Sequence, residues 1–136
     1  MFHSSTEIAF YIYCKDKYIK CEYNRDKYFK YTYNGKTYRY FPDFILNEHE
    51  FIEIKGDHFF KSDGTMYYPW TNKKWTEEEK IEADKRMEAK HQCMLKNNVK
   101  IIKSSECLKY NIYVKETYGN HYLEQFKNDT KRNFKS

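Results

Sequence analysis

A chain of 136 residues, 20% aromatic and 33% charged, has the length of one domain with a single core of modest size. Its fifteen tyrosines can bury rings while keeping their hydroxyls on polar partners, so the high charge does not imply disorder. No apolar run is long enough for a signal peptide or a membrane span, and the net charge of +5 is unevenly placed along the chain.

Cys14, Cys21, Cys93 and Cys107 lack Cys-x-x-Cys spacing, so buried reduced thiols and a cytoplasmic location are expected. From the N-terminus, Ser4-Ser5-Thr6-Glu7 reads as a capping box opening an amphipathic helix to about Lys17. Strands are predicted over Lys27 to Tyr33 and Lys36 to Leu46 on either side of Asn34-Gly35, a strong hairpin signal, and a third over Phe51 to Lys55. Residues 56–75 are rich in aromatics, among them Phe59, Phe60, Tyr67, Tyr68, Trp70 and Trp75, without clean periodicity, and read as an ordered loop. Thr76-x-x-Glu79 caps a second helix running to about Lys96. Val99 to Ile102 is a short apolar strand, and Ser104 or Ser105 should cap a last helix ended by Gly119. Residues 1–119 then make one domain, and the polar, basic residues 120–136 are expected to fray.

Residues 15–40 hold eight lysines and arginines against three acids, a balance equal to that of the whole chain. A basic, tyrosine-interleaved block of this kind suits a phosphate backbone, and Lys27, Lys30 and Arg39 are its candidate contacts. It leads directly into Pro42-Asp43 and, after nine intervening residues, Glu53-Ile54-Lys55. In a strand, Glu53 and Lys55 share one face while Ile52 and Ile54 point to the other. Carboxylates from adjacent strands can hold a hard divalent cation, and placed together without one they repel, so one of them should have a raised pKa. Glu-x-Lys also occurs at Glu78/Lys80 and Glu88/Lys90, but in helical sequence with no Pro-Asp upstream.

The Pro-Asp and Glu-x-Lys pattern resembles the PD-(D/E)xK nuclease superfamily, over about residues 4–103. Within it the chain looks most like small phage or mobile-element endonucleases similar to very-short-patch-repair nicking enzymes. The resemblance implies an α/β fold with a restriction-endonuclease-like αβββαβ core, a mixed sheet flanked by helices, and Mg²⁺- or Mn²⁺-dependent hydrolysis of DNA. It implies Asp43, Glu53 and the Ile54 carbonyl as metal ligands and Lys55 as the catalytic lysine. It adds Glu7 as a first-helix carboxylate directed at the metal, a role that competes with capping, and Lys90, His91 and Gln92 as residues that support the site or hold phosphate. A structure-specific resolvase and a noncatalytic nucleic-acid-binding module are the alternatives. A homodimer, and further domains of a longer chain, are left open by the sequence.

Overall fold

The computed structural model describes residues 4–69 and 74–133. Trp70, placed in the aromatic loop above, lies outside them. The chain forms a mixed α/β structure whose mixed sheet is flanked by helices. Helix α1 (Ser5–Asp16) starts as expected, with the Ser4 hydroxyl accepting the Glu7 N–H at 3.2 Å. Strand β1 (Cys21–Tyr23) follows, then a separate hairpin of β2 (Phe29–Tyr33) and β3 (Lys36–Tyr40), then β4 (Phe44–Leu46) and β5 (Glu50–Lys55). Helix α2 (Glu77–Lys96) leads into β6 (Lys100–Lys103), and helices α3 (Leu108–Tyr118) and α4 (Tyr122–Asn133) complete the chain.

The main sheet has the order β1-β4-β5-β6, antiparallel except for the β5–β6 pair, while β2 and β3 pair only with each other. Two expectations change here. The strand predicted over Lys36 to Leu46 is broken at Phe41–Asp43 and its halves belong to different sheets. Pro42 has no N–H for a ladder and biases Phe41 against helical backbone, which suits a crossing from hairpin to main sheet. The second change is β1, three residues within Cys21 to Tyr23 that carry no clear alternation; with it, the strands in the sheet before α2 are β1, β4 and β5 rather than the hairpin pair and β5. Asn34-Gly35 does turn the hairpin, both residues taking positive φ as a two-residue turn requires.

One face of the main sheet packs Phe44, Ile52 and Ile102 against Phe10, Cys14, Cys21 and Cys107, from the side of α1 and α3. The other face packs Phe51 and Ile101 with Tyr40, Phe59, Met66, Met94 and Val99 beneath α2. All four cysteines are free and buried, with Cys93 on the α2 side and the other three across the sheet. The loop after β5 is ordered over its described residues: Phe60 bridges Met66, and Phe59 and Met66 are core residues.

Two helix ends also differ from expectation. The turn before α3 is a 3₁₀ segment (Ser104–Cys107) anchored by Asp57, whose Oδ1 accepts from the Ser105 N–H at 3.0 Å and the Ser104 hydroxyl at 3.1 Å. Residues 122–133, expected to fray, form α4, and its Leu123 is buried with Ile8, Ile12 and Val114 of α1 and α3. The apolar positions Leu123 and Phe126 lie three apart on an otherwise polar segment, enough for a helical stripe.

Candidate active site

Asp43 is held by its surroundings before its side chain is considered. Asn24, buried just after β1, donates from its side-chain amide to the carbonyls of Lys27 (2.7 Å) and Pro42 (2.8 Å), and accepts the Lys27 N–H at 3.0 Å. Its own N–H donates to the Asp43 carbonyl at 3.0 Å. The β4–β5 register pairs Phe44 with Ile52, so Asp43 stands one rung further on, opposite Glu53. Its Oδ2 accepts the Ile54 N–H at 2.8 Å, tying the aspartate to the strand that carries the glutamate and the lysine.

Glu53 is 5% exposed. Burial pushes its carboxyl up to about 8, the charge of Asp43 adding to the rise, while the Tyr40 hydroxyl, Lys90 and Lys55 pull it back. The raised carboxyl expected of an acidic pair is therefore Glu53, with loss of water the larger cause. Tyr40 comes from the end of β3 and donates its hydroxyl to Glu53 Oε1 at 2.7 Å. Burial raises the Tyr40 phenol too, so that hydroxyl keeps its proton and acts as a donor.

Lys55 lies on the same face of β5, its ammonium 4.2 Å from the centroid of the Phe59 ring. Burial lowers its pKa, as does the nearby charge of Lys90, against the opposing influence of Glu53, Asp43 and Glu7. Lys90 reaches the site from α2, 5.5 Å from the centroid of the Tyr40 ring. The site thus gathers carboxyl and amine groups whose ionisation is disfavoured by burial, a combination typical of places where chemistry is done.

The remaining predicted residues divide. Glu7 is 4% exposed and takes part in the α1 cap, with the Ser4 hydroxyl donating to its Oε2 at 3.3 Å. Its charge also acts on Tyr23 and Lys55, so capping and proximity to the site coexist. Three successive residues of α2 point apart, as a helix requires. Lys90 faces Tyr40, His91 is buried edge-on to the Phe60 ring at 6.4 Å, and Gln92 is exposed beside Lys30 in a groove between β2 and the C-terminal half of α2. Burial lowers the His91 pKa, in keeping with a neutral packing residue. Lys27 and Lys30 are exposed, and Arg39, opposite Lys30 in the hairpin, lies over the Tyr28 ring at 4.9 Å.

Sequence reasoning passed over Tyr40 and Asn24. Tyr40 carried a signal, since an apolar residue ending a strand two positions before Pro-Asp must enter the same core. Asn24 carried none, being one polar residue in a polar loop. Among the described residues, no three or more His, Cys, Asp or Glu side chains are gathered as a ready-made metal centre, and no helix is long and apolar enough to cross a membrane. No family model, curated protein or solved structure matches the chain.

Proposed function

We propose that the chain is a metal-dependent endonuclease that hydrolyses phosphodiester bonds of DNA at Asp43, Glu53 and Lys55. The observation that carries the reading is Glu53, a carboxyl held in the protein interior opposite a second acid at the cost of a pKa near 8. A structural carboxylate gains nothing from that placement, whereas a cation ligand does, because a cation offsets both the burial and the repulsion. The alternation of β5, the order of α1, β1, β4, β5, α2 and β6, and the position of Asp43 beside β5 agree with the resemblance to the PD-(D/E)xK superfamily.

The donor set fits Mg²⁺ or Mn²⁺. Asp43 and Glu53 with the Ile54 carbonyl are hard oxygen donors, and Mg²⁺ is usually bound through one or two carboxylates while keeping several waters. When bound there, such an ion supplies Lewis acidity toward a phosphate oxygen and lowers the pKa of a coordinated water. The chain's own groups do the rest. Tyr40 fixes the direction of the Glu53 carboxylate through its hydroxyl. Lys55, whose ammonium is disfavoured by burial and by Lys90, orients the attacking water, and only the fraction that has first released its proton to solvent can receive the water's. Lys90 adds positive charge where negative charge develops on the phosphate.

Conversion of supercoiled plasmid to nicked or linear forms in Mg²⁺, abolished by EDTA, is the test. Salt-sensitive binding with no cutting in Mg²⁺ or Mn²⁺ would leave the noncatalytic module, under which the burial of Glu53 opposite Asp43 has no purpose.

A further inference from the structure

Next to the catalytic face, the β2–β3 hairpin stands off from the start of α2 and leaves a cleft of about 970 Å³. That is at the upper end of the roughly 300–1,000 Å³ that ligand pockets occupy. Its walls are aromatic. Tyr31 and Tyr38, directly opposite in the hairpin, stack at 5.5 Å with rings 22° apart, and Tyr68 and Trp75 lie at 5.5 Å from each other. All four rings are only partly buried. The cleft is also cationic at one end. Arg86 of α2 lies 4.8 Å over the Tyr38 ring, and Arg39 and Lys90 line the same space.

Lys90 joins this cleft to the acidic pair, since it faces Tyr40, the partner of Glu53, and its charge is felt by Glu53 and Lys55. We propose that the cleft receives an unpaired nucleobase of the strand whose phosphate lies at Asp43 and Glu53, so that the substrate is single-stranded or locally unpaired DNA. Every base presents a π-face, and partly open tyrosine and tryptophan rings are the platforms on which unpaired bases stack. A paired base cannot enter, because its faces are covered by its neighbours in the duplex. Glu78, Glu79 and Glu82 line the cleft toward the N-terminal end of α2, which repels phosphate there and favours the backbone at the end of Arg39, Arg86 and Lys90.

The inference rests on the nuclease reading for what lies beside the cleft, but its test does not depend on cleavage. Anisotropy of a labelled single-stranded oligonucleotide, and of the same strand in a full duplex, is measured in EDTA with wild-type protein, Tyr38→Ala, Tyr38→Phe and Arg86→Gln. Wild-type protein is expected to prefer the single strand. Tyr38→Ala should weaken single-strand binding by about 5- to 150-fold, the range for loss of one stacked base. Duplex binding should change little, and Tyr38→Phe, which keeps the ring, should restore the single-strand affinity. Arg86→Gln, a surface change on α2, gives the same test should Tyr38→Ala fold poorly, and it should also weaken the single-strand complex selectively. Equal affinity of wild-type protein for both forms, or equal single-strand affinity in wild type, Tyr38→Ala and Arg86→Gln, overturns the proposal. A wild-type protein that shows this selectivity yet never cuts DNA keeps the cleft and loses the nuclease.

Discussion

Strand β5 is read differently from its two faces. Toward α1 and α3, Ile52 and Ile54 meet Phe10, Phe44, Ile102 and three cysteines, a surface without a carboxylate or an amine among its buried residues. Toward α2, Glu53 and Lys55 meet Tyr40, Phe59 and Lys90, so ionisable groups are held where water is scarce. The first face stabilises the fold. The second gives up stability to hold groups whose charged forms burial disfavours. One six-residue strand does both because its side chains alternate.

Four variants sharpen that contrast, beginning with the largest effect. Phe44→Ala, at a fully buried ring 5.4 Å from Phe10 and 5.8 Å from Tyr23, should cost about 3–5 kcal/mol in urea unfolding. A loss below about 1 kcal/mol would mean the apolar face is not the main source of stability.

Glu53→Gln should do the opposite. The folded carboxyl holds its proton up to about pH 8, whereas in the unfolded chain it ionises near its ordinary value of 4.5. Between those limits the unfolded state gives up a proton that the folded state keeps, so wild-type stability falls as pH rises through the window and levels off above it. The glutamine amide oxygen can still accept from the Tyr40 hydroxyl, but the side chain cannot ionise. The variant should match the wild type near pH 4 and melt higher at pH 8, each ~1 kcal/mol being worth about 4 °C in a domain of this size, while cutting is lost. Melting curves that run parallel across pH 4–9 would contradict the assignment of a strained carboxyl to Glu53.

Glu7→Gln separates capping from chemistry at a residue that serves the fold at one end and lies near the site at the other. A glutamine keeps the hydrogen-bonding role in the cap, so the melting temperature should hold within the few degrees that ~1 kcal/mol represents. Cutting should fall, because a negative charge acting on Lys55 is gone. Full activity would leave capping as its only role.

The smallest structural effect is expected from neutralising Lys27, Lys30 and Arg39 together. These exposed side chains should alter stability by no more than about 0.5 kcal/mol each. DNA affinity should drop and its dependence on salt should flatten, by roughly 0.9 in the logarithmic slope for each phosphate contact removed. An unchanged slope would place the phosphate path elsewhere.

Much of this was legible in the sequence because it depends on local rules. Ser4 and Thr76 accept the N–H groups of Glu7 and Glu79 as their capping boxes foretell, Asn34-Gly35 makes its turn, and the alternation of Phe51 to Lys55 separates Glu53 and Lys55 from Ile52 and Ile54. What was missed depends on long-range pairing. Residues 36–46 read as one strand because β-propensity is continuous through Phe41, and only the sheet decides that Tyr40 and Phe44 belong to different ladders. Tyr40 therefore turned inward to Glu53, although it reads as the end of the basic, tyrosine-interleaved block. Cys21 to Tyr23 is too short for periodicity to reveal, and Leu123 gains its partners only when α1 and α3 are in place.

The central claim, that Asp43, Glu53 and Lys55 act as one catalytic unit, is tested most directly by Lys55→Ala beside Asp43→Asn, with plasmid cutting in Mg²⁺ and ion binding by calorimetry read on the same preparations. Both variants are expected to fold and neither to cut. Asp43→Asn should bind the ion far more weakly, having lost a charged oxygen ligand, while Lys55→Ala should bind it at least as well as the wild type because a neighbouring positive charge is gone. Cutting by either variant at the wild-type rate, in protein free of host nuclease, would contradict the claim.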